Sequence, residues 1–490
     1  MIMSASKLLR NIGFLILGSA ALSVGVWAQD PQEPQEQPDT TTKPKPAARG
    51  IPGISDPNAT VEDNQDQAAN WQPDTGPVTG LQSPTLGSAE LGHSYWIPGF
   101  VYGSTIESRP PGQQVSNGWY ANNYVGGQVS LLEVWSRAQL GLNYSGGGYF
   151  TTDSQQSNGW FQELSLGQTI SLNRWQIQLF DHFSYIPESQ FGFAGGTNLA
   201  LPGVSGTLGP AVPGLGIAIM PNQSIYSAAG PRYSNAAALQ ATYLLSRRSS
   251  ITFGGSYGLL HFTEPGNIDN DMVLGSAGYN YALSEKDSIG VFYRFSAFHF
   301  TGEPQALGSQ SVSFIYSRKV ARRLALNLFG GPQITNFRIP VGNETQKIGA
   351  MGGATLTYAF QRGTVGVTYF HGLTGGSGLF LGSTADQATG DISRQLGRVW
   401  NGHLVFGFSR NSAVATAVGT GASGQTYDDW FVGGGVNRSF GRHTDFAAAY
   451  TARFENTSQA ICTGTACSTS TTQNMITITF QFHTRPFVLP

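Results

Sequence analysis

Side chains able to do chemistry are few and scattered in this 490-residue chain. Hydrolysis through a protein nucleophile needs the nucleophile, a base and an orienting group within mutual reach, and the Ser and His residues show no such spacing. His182 and His261 stand alone on alternating segments, a setting in which histidine ordinarily neither binds metal nor titrates usefully. The glycine runs Gly146-Gly147-Gly148 and Gly433-Gly434-Gly435 precede no helical pattern, so they do not form phosphate loops. Cys462 and Cys467 are the only cysteines. A metal site would need further Cys or His ligands, and none lies between Asn456 and Thr472. In an exported chain this spacing predicts a local disulfide stapling a loop. The expectation is a protein that is not an enzyme and carries no cofactor or metal.

What the polar residues do have is rhythm. Ile476, Ile478, Phe480 and Phe482 interleave with Thr477, Thr479, Gln481 and His483, a period of two that gives one apolar and one polar face. The pattern recurs at Leu140, Leu142 and Tyr144, at Trp175, Ile177 and Leu179, at Val365, Val367 and Tyr369, and at Leu404, Phe406 and Phe408. Strands of this kind need a different solvent on each side, as in a transmembrane barrel whose outside meets lipid and whose inside meets water. The alternation then predicts inward positions for Gln139, Asn143, Glu163, Gln176, Gln178, His182, Arg294, Asn327, Arg453, Thr477 and Gln481. These are mixed and mostly neutral, so they predict a hydrated lumen with weak charge preference. Glu163 and Arg294 are the sharpest members, because a lipid-facing Arg at mid-depth costs about 2–4 kcal/mol and a Glu somewhat less. They are expected to face water or each other. Asp181 falls in phase with Ile177 and Leu179 and is expected near the membrane rim.

Composition points the same way. Charged residues make up 11% of the chain and aromatics 12%, with 64 Gly; the charge content is well under that of soluble domains. A net charge of −2 gives no basic excess for nucleic acid. Lys7 and Arg10 precede an apolar run from Ile12 to Val26 that ends at Val26-Trp27-Ala28, which reads as a signal peptide over residues 1–28. No other stretch approaches the length of a spanning helix. Residues 29–92 are rich in Pro, Gln, Asp and Thr without periodic hydrophobicity and read as a disordered periplasmic tail. No cysteine stands directly after the cleavage point, where Gln29 lies, so a lipid anchor is not expected. Residues 93–490 are the barrel.

Turns with a basic tip mark the barrel's hairpins: Arg137, Arg174, Arg248, Lys286, Arg323, Arg362, Arg398 and Arg442 recur roughly every 37 residues, with one doubled interval after Arg174. Each unit has room for two strands of outer-membrane length, one tight turn and one longer loop. Soluble repeat blades of four short strands do not fit. Eight basic turns, the closing strand Met475 to His483 and a first strand at Trp96 to Ile106 give an all-β, antiparallel, up-and-down transmembrane barrel of about 18 strands. The range is 16 to 20, because the doubled interval has room for an extra hairpin around Gly216 to Met220. The segment from Glu107 to Tyr120 is expected to be an extracellular loop.

The pattern from Trp96 to His483 resembles the general and sugar-specific porins, trimeric barrels of 16 or 18 strands whose third extracellular loop folds inward and narrows the pore. The resemblance implies a bacterial outer-membrane channel for small polar solutes, a homotrimer, and outer-membrane lipid as surroundings. It places Pro187 to Asn235 at the narrowing loop. That segment holds little charge between Glu188 and Arg232, so it would constrict by bulk rather than by a transverse field. Phe480 and Phe482 suit the C-terminal signal read by the barrel-assembly machinery, although the chain departs from the pattern by continuing through Thr484 to Pro490. The competing reading is a non-conducting structural or adhesin-like barrel with a plugged lumen, and a soluble secreted β-protein is a third.

Overall fold

The computed structural model describes residues 94–108, 118–152, 158–186, 231–263, 267–341, 343–376, 378–397, 399–415, 425–441, 443–457 and 470–489. Among these there is no helix. The strands are β1 (Tyr95–Ser108), β2 (Trp119–Val134), β3 (Ala138–Thr151), β4 (Gly159–Ser171), β5 (Trp175–Ile186), β6 (Arg232–Leu244), β7 (Ser249–Phe262), β8 (Asn270–Ala282) and β9 (Asp287–Phe300). They continue with β10 (Ala306–Ala321), β11 (Leu324–Val341), β12 (Glu344–Phe360), β13 (Gly363–Thr374), β14 (Ser383–Gln395), β15 (Trp400–Ala413), β16 (Thr426–Phe440), β17 (Thr444–Thr457), β18 (Ser470–His483) and the two-residue β19 (Phe487–Val488).

Each strand from β1 to β18 pairs antiparallel with the next, and β18 pairs with β1 from Gly99↔His483 to Glu107↔Met475. An 18-stranded sheet therefore closes on itself and leaves no long edge, as a lipid environment requires. β5 pairs directly with β6 from Trp175↔Tyr243 to Ile186↔Arg232, so no hairpin stands between them in the wall. The position proposed for one, Gly216 to Met220, lies outside the described residues.

Eight short turns join the strands at one end, and eight exposed bases occupy six of them: Arg137, Arg174, Arg247, Arg248, Lys286, Arg322, Arg323 and Arg362. The start of β1 and the end of β18 lie at the same end, which is the periplasmic one in barrels with short turns and long outer loops. The residues after His483 extend the seam. Thr484 donates its N–H to Pro98 O at 3.0 Å, the register slips by one residue, and β19 rejoins β1 through Tyr95↔Val488 and Trp96↔Phe487, whose rings stack at 5.1 Å.

The register fixes which side chains share a face, and exposure separates the faces cleanly. Every exposed large apolar side chain within β1 to β18 points outward: Phe100 on β1, Phe253 on β7, Phe314 on β10, Phe406 on β15, Phe480 and Phe482 on β18 among them. The buried Ser, Thr, Asn and Gln of the strands point inward, except Ser249 at its turn. Apolar surface facing out and polar groups facing in is the inverse of a water-soluble protein. The protein is a closed 18-stranded antiparallel β-barrel whose outer surface suits lipid.

Candidate functional site

All eleven predicted lining residues sit on the inward face. Gln139 and Asn143 lie on β3, Glu163 on β4, and Gln176, Gln178 and His182 on β5. Arg294 is on β9, Asn327 on β11, Arg453 on β17, and Thr477 and Gln481 on β18. They do not form one cluster. His182, buried, accepts or donates a 2.8 Å hydrogen bond at Nδ1 with Ser165 Oγ and places Nε2 4.0 Å from Glu163 Oε1. Arg294, five strands away, directs Nη1 toward Met351 Sδ at 3.8 Å. Glu163 and Arg294 thus face the interior on different walls.

The interior divides into two arcs. From β5 to β13 the inward face carries large apolar clusters set among Ser, Thr and Gln residues. One cluster joins Phe180, Ala238, Phe292, Ile315, Phe329, Met351 and Phe370 across β5, β6 and β9 to β13. Glycine makes the tight packing feasible: a Cβ on Gly278 would sit 2.1 Å from the Phe292 ring. A second cluster, toward the loop end, joins Met272, Leu274, Phe298, Phe300, Leu307 and Phe337 with Leu381, Val414 and Ala415 from two loops.

Leu381 comes from the β13–β14 loop, which folds inward. Its Gly378 O accepts from Ile268 N at 2.9 Å and its Gly375 O accepts from Asn270 Nδ2 at 3.2 Å, so a loop from β13 is fastened to the start of β8. Leu379 packs on Leu260 and Phe262 of β7. The path of this loop depends on glycine at Gly376 and Gly382, with φ of 81° and 83°; a Cβ on Gly376 would lie 2.2 Å from Phe380 O.

From β14 through the seam to β4 the inward face carries the ion-paired groups, beside smaller apolar clusters at Val405 and Phe431 and at Tyr95, Ile97 and Leu132. Arg453 and Asp429, both almost fully buried, form an ion pair in which Nε meets Oδ1 at 3.3 Å and Oδ2 at 3.0 Å and Nη2 meets Oδ2 at 2.6 Å. Arg453 Nη2 also meets Glu455 Oε1 at 2.8 Å, and Glu455 accepts from Thr471. Across the seam, Glu107 accepts from Gln473 at 3.0 Å, from Tyr120 at 2.9 Å and from Asn122 at 3.2 Å. Thr105 and Thr477 bridge β1 and β18 at 3.2 Å. Charge-assisted bonds of this kind tie five strands together.

All inward carboxylates of the described strands belong to this arc: Glu107, Glu163, Asp391, Asp429, Asp445 and Glu455. Apart from Arg453, the inward bases Arg232, Arg294, Lys319 and Lys347 lie on β6 to β12. The wall itself therefore carries opposite charge on opposite arcs, where the sequence predicted a mostly neutral lining.

Three further expectations need correction. Glu107 and Tyr120 are not loop residues: they are paired in β1 and β2 and hydrogen-bonded. The strands run further than the alternation suggests because the Glu107 carboxylate has inward partners on β2 and β18. Arg232 and Asn235 belong to β6 rather than to the narrowing loop, and residues 187–230 lie outside the described residues. Asp181 is not at the rim. It stands mid-way along β5 on the outward face, accepting from Asn235 Nδ2 at 2.9 Å, so a cross-strand amide supplies the partner that rim water was expected to supply. Cys462, Cys467, the signal segment 1–28 and the tail 29–92 lie outside the described residues.

No protein-family model matches the chain, and no curated protein matches it. Among solved structures it is similar to the outer membrane protein OpdK of Pseudomonas aeruginosa, at 8% identity over 79% of this chain and 99% of that chain, with a TM-score of 0.39. It is also similar to OpdQ of Pseudomonas aeruginosa (9% identity, 80% and 98%, TM-score 0.41) and to OccAB1 of Acinetobacter baumannii (10%, 79% and 96%, TM-score 0.38).

Proposed function

We propose that this barrel is a passive channel through which small polar solutes cross the outer membrane along the charged arc from β14 to β4. The observation that carries the reading is the segregation of inward groups. A barrel serving only as a structural wall gains nothing from gathering the partly exposed inward carboxylates Glu163, Asp391, Asp445 and Glu455 on one arc, whereas hydrated solutes need fixed polar partners along their path. The carboxylate excess of this arc favours cations and neutral hydroxylated solutes over anions. The apolar arc and the inward β13–β14 loop narrow the passage, the role the sequence assigned to the segment after β5.

Reconstitution in planar bilayers tests the proposal. Discrete conductance steps from correctly folded protein are expected, with a reversal potential displaced toward the cation's equilibrium potential in a salt gradient. Persistent absence of steps would leave the plugged, adhesin-like barrel, a reading favoured by the apolar mass around Leu381.

The same reading includes removal of the signal near Gln29, a disulfide between Cys462 and Cys467, recognition of Phe480 and Phe482 by the assembly machinery, and assembly as a homotrimer. Thiol counting on the unfolded protein and mass measurement in mild detergent test the disulfide and the oligomer.

A further inference from the structure

The basic turns were useful above only as markers of hairpin spacing, yet their distribution is itself one-sided. The eight short turns carry ten Arg or Lys in their sequence against a single acid, Glu285, whereas the nine connections at the other end carry one, Arg109, against Asp153, Glu188, Glu264, Asp269 and Glu303. A fold does not require this. Tight turns are satisfied by Gly, Asn, Asp or Ser, and a run of like charges around one rim repels itself.

The eight described turn bases are exposed, and none forms an ion pair with a described residue. Apart from Lys286, which stands beside Asp287, their charges have no carboxylate partner among the described residues. They are also set at a particular depth. Just inside them, on the outward face, runs a girdle of aromatic rings: Trp175 against Tyr243 at 4.8 Å, Trp96 against Phe487, and Phe440 against Phe446 at 6.3 Å. Arg438 lies over the Trp400 and Phe440 rings at 5.2 and 4.6 Å. Aromatic girdles mark the level where acyl chains give way to headgroups. Bases one step beyond stand at the level of lipid phosphates.

We infer that the short-turn rim is a binding ring for the phosphate headgroups of anionic phospholipids in the leaflet at that end. A protein partner would select a patch on one side. These bases instead recur once per hairpin, roughly 10 Å apart at the strand spacing of a sheet, which suits a row of headgroups around the circumference. Arginine's planar fork adds bidentate contact with phosphate oxygens. The inference does not depend on whether the lumen conducts.

The test uses the full chain folded into phosphatidylcholine vesicles doped with brominated phosphatidylglycerol or brominated phosphatidylcholine, reading quenching of the rim tryptophans. Preference for the anionic lipid of about fivefold is expected at low salt, the factor corresponding to one basic residue's attraction to an anionic surface. The preference should collapse toward unity at about 1 M salt, where the screening length is shortest. Replacing the eight described turn bases by Gln should abolish it and leave quenching by brominated phosphatidylcholine unchanged. Two half-variants, each altering four of the bases, serve if the full variant does not fold, and heat-modifiable migration reports folding. Equal quenching by both lipids in the folded wild-type protein, or a preference that survives salt or the Gln substitutions, overturns the inference. Salt-sensitive capture by a soluble polyanion without any lipid preference overturns it too, in favour of a glycan partner.

Discussion

The two arcs of the interior are built from the same alternating strands yet solve different problems. On β5 to β13 the inward positions hold Phe180, Phe292, Phe298 and Phe370, and the space is filled by side chains and an inward loop. On β14 to β4 they hold Asp429, Arg453, Glu455 and Glu107, held by charge-assisted bonds between neighbouring strands. Burial of apolar area stabilises the first arc without direction. In the second arc, each buried charge must find a partner of defined geometry. The difference teaches that inward does not mean uniformly polar in this barrel: the wall opposite the ion-paired arc carries large apolar clusters among its hydroxyls.

The largest effect should come from breaking the charged arc. Arg453→Ala leaves Asp429 and Glu455 uncompensated and should lower unfolding free energy by about 3–5 kcal/mol, measured by denaturant titration of the barrel in vesicles. Arg294→Ala, on the other arc, removes a contact to Met351 Sδ and should cost clearly less. Equal losses at the two arginines would erase the distinction between the arcs.

Next in size is the apolar arc. Leu381, fully buried, anchors the inward loop, and Leu381→Ala should cost about 2–5 kcal/mol by the usual range for buried leucine. Its sharper readout is conductance, which should rise as the loop loosens. Gly382→Ala tests the same loop from its backbone, because φ is 83° and a Cβ would lie 2.2 Å from Leu307 Cδ1. Unchanged conductance in both variants would mean that the loop does not border the passage.

An intermediate effect separates lumen from lipid. Phe314, 63% exposed on the outward face of β10, should tolerate Arg poorly, losing about 2–4 kcal/mol if its depth is near the membrane centre. Substitution of the adjacent inward Ser313 by Thr should be milder. The smallest effect is expected at the seam, where Thr477→Val removes one hydroxyl partner of Thr105 and should cost about 1 kcal/mol, detectable as a modest shift in the unfolding midpoint.

Much of this was legible in the chain. Period-two segments such as Met475 to His483 determined the strand type and which side meets lipid, and the basic turns determined the hairpin count. A side chain's face follows from parity alone once a strand is recognised, which is why Gln139, His182, Arg294 and Arg453 could be oriented without coordinates. Parity was less visible where glycines or adjacent acids interrupt it. Asp429 follows Asp428, and three glycines follow in the same strand, so nothing local says which aspartate turns inward. Glu107 sits at a strand end, where alternation fades before pairing does.

Only the closed sheet decided what lies across from what. Arg453 finds Asp429 because β16 and β17 pair in one register, and Glu107 finds Gln473 because residues 366 apart become neighbours at the seam. The inward loop of Gly375 to Gly382 was invisible for the same reason, since its anchors on β7 and β8 are more than a hundred residues away. Sequence alone determined the strand rhythm and the two solvents it needs; the tertiary structure decided how the interior is divided, because that division depends on closure and register, which join distant segments through contacts no local pattern encodes.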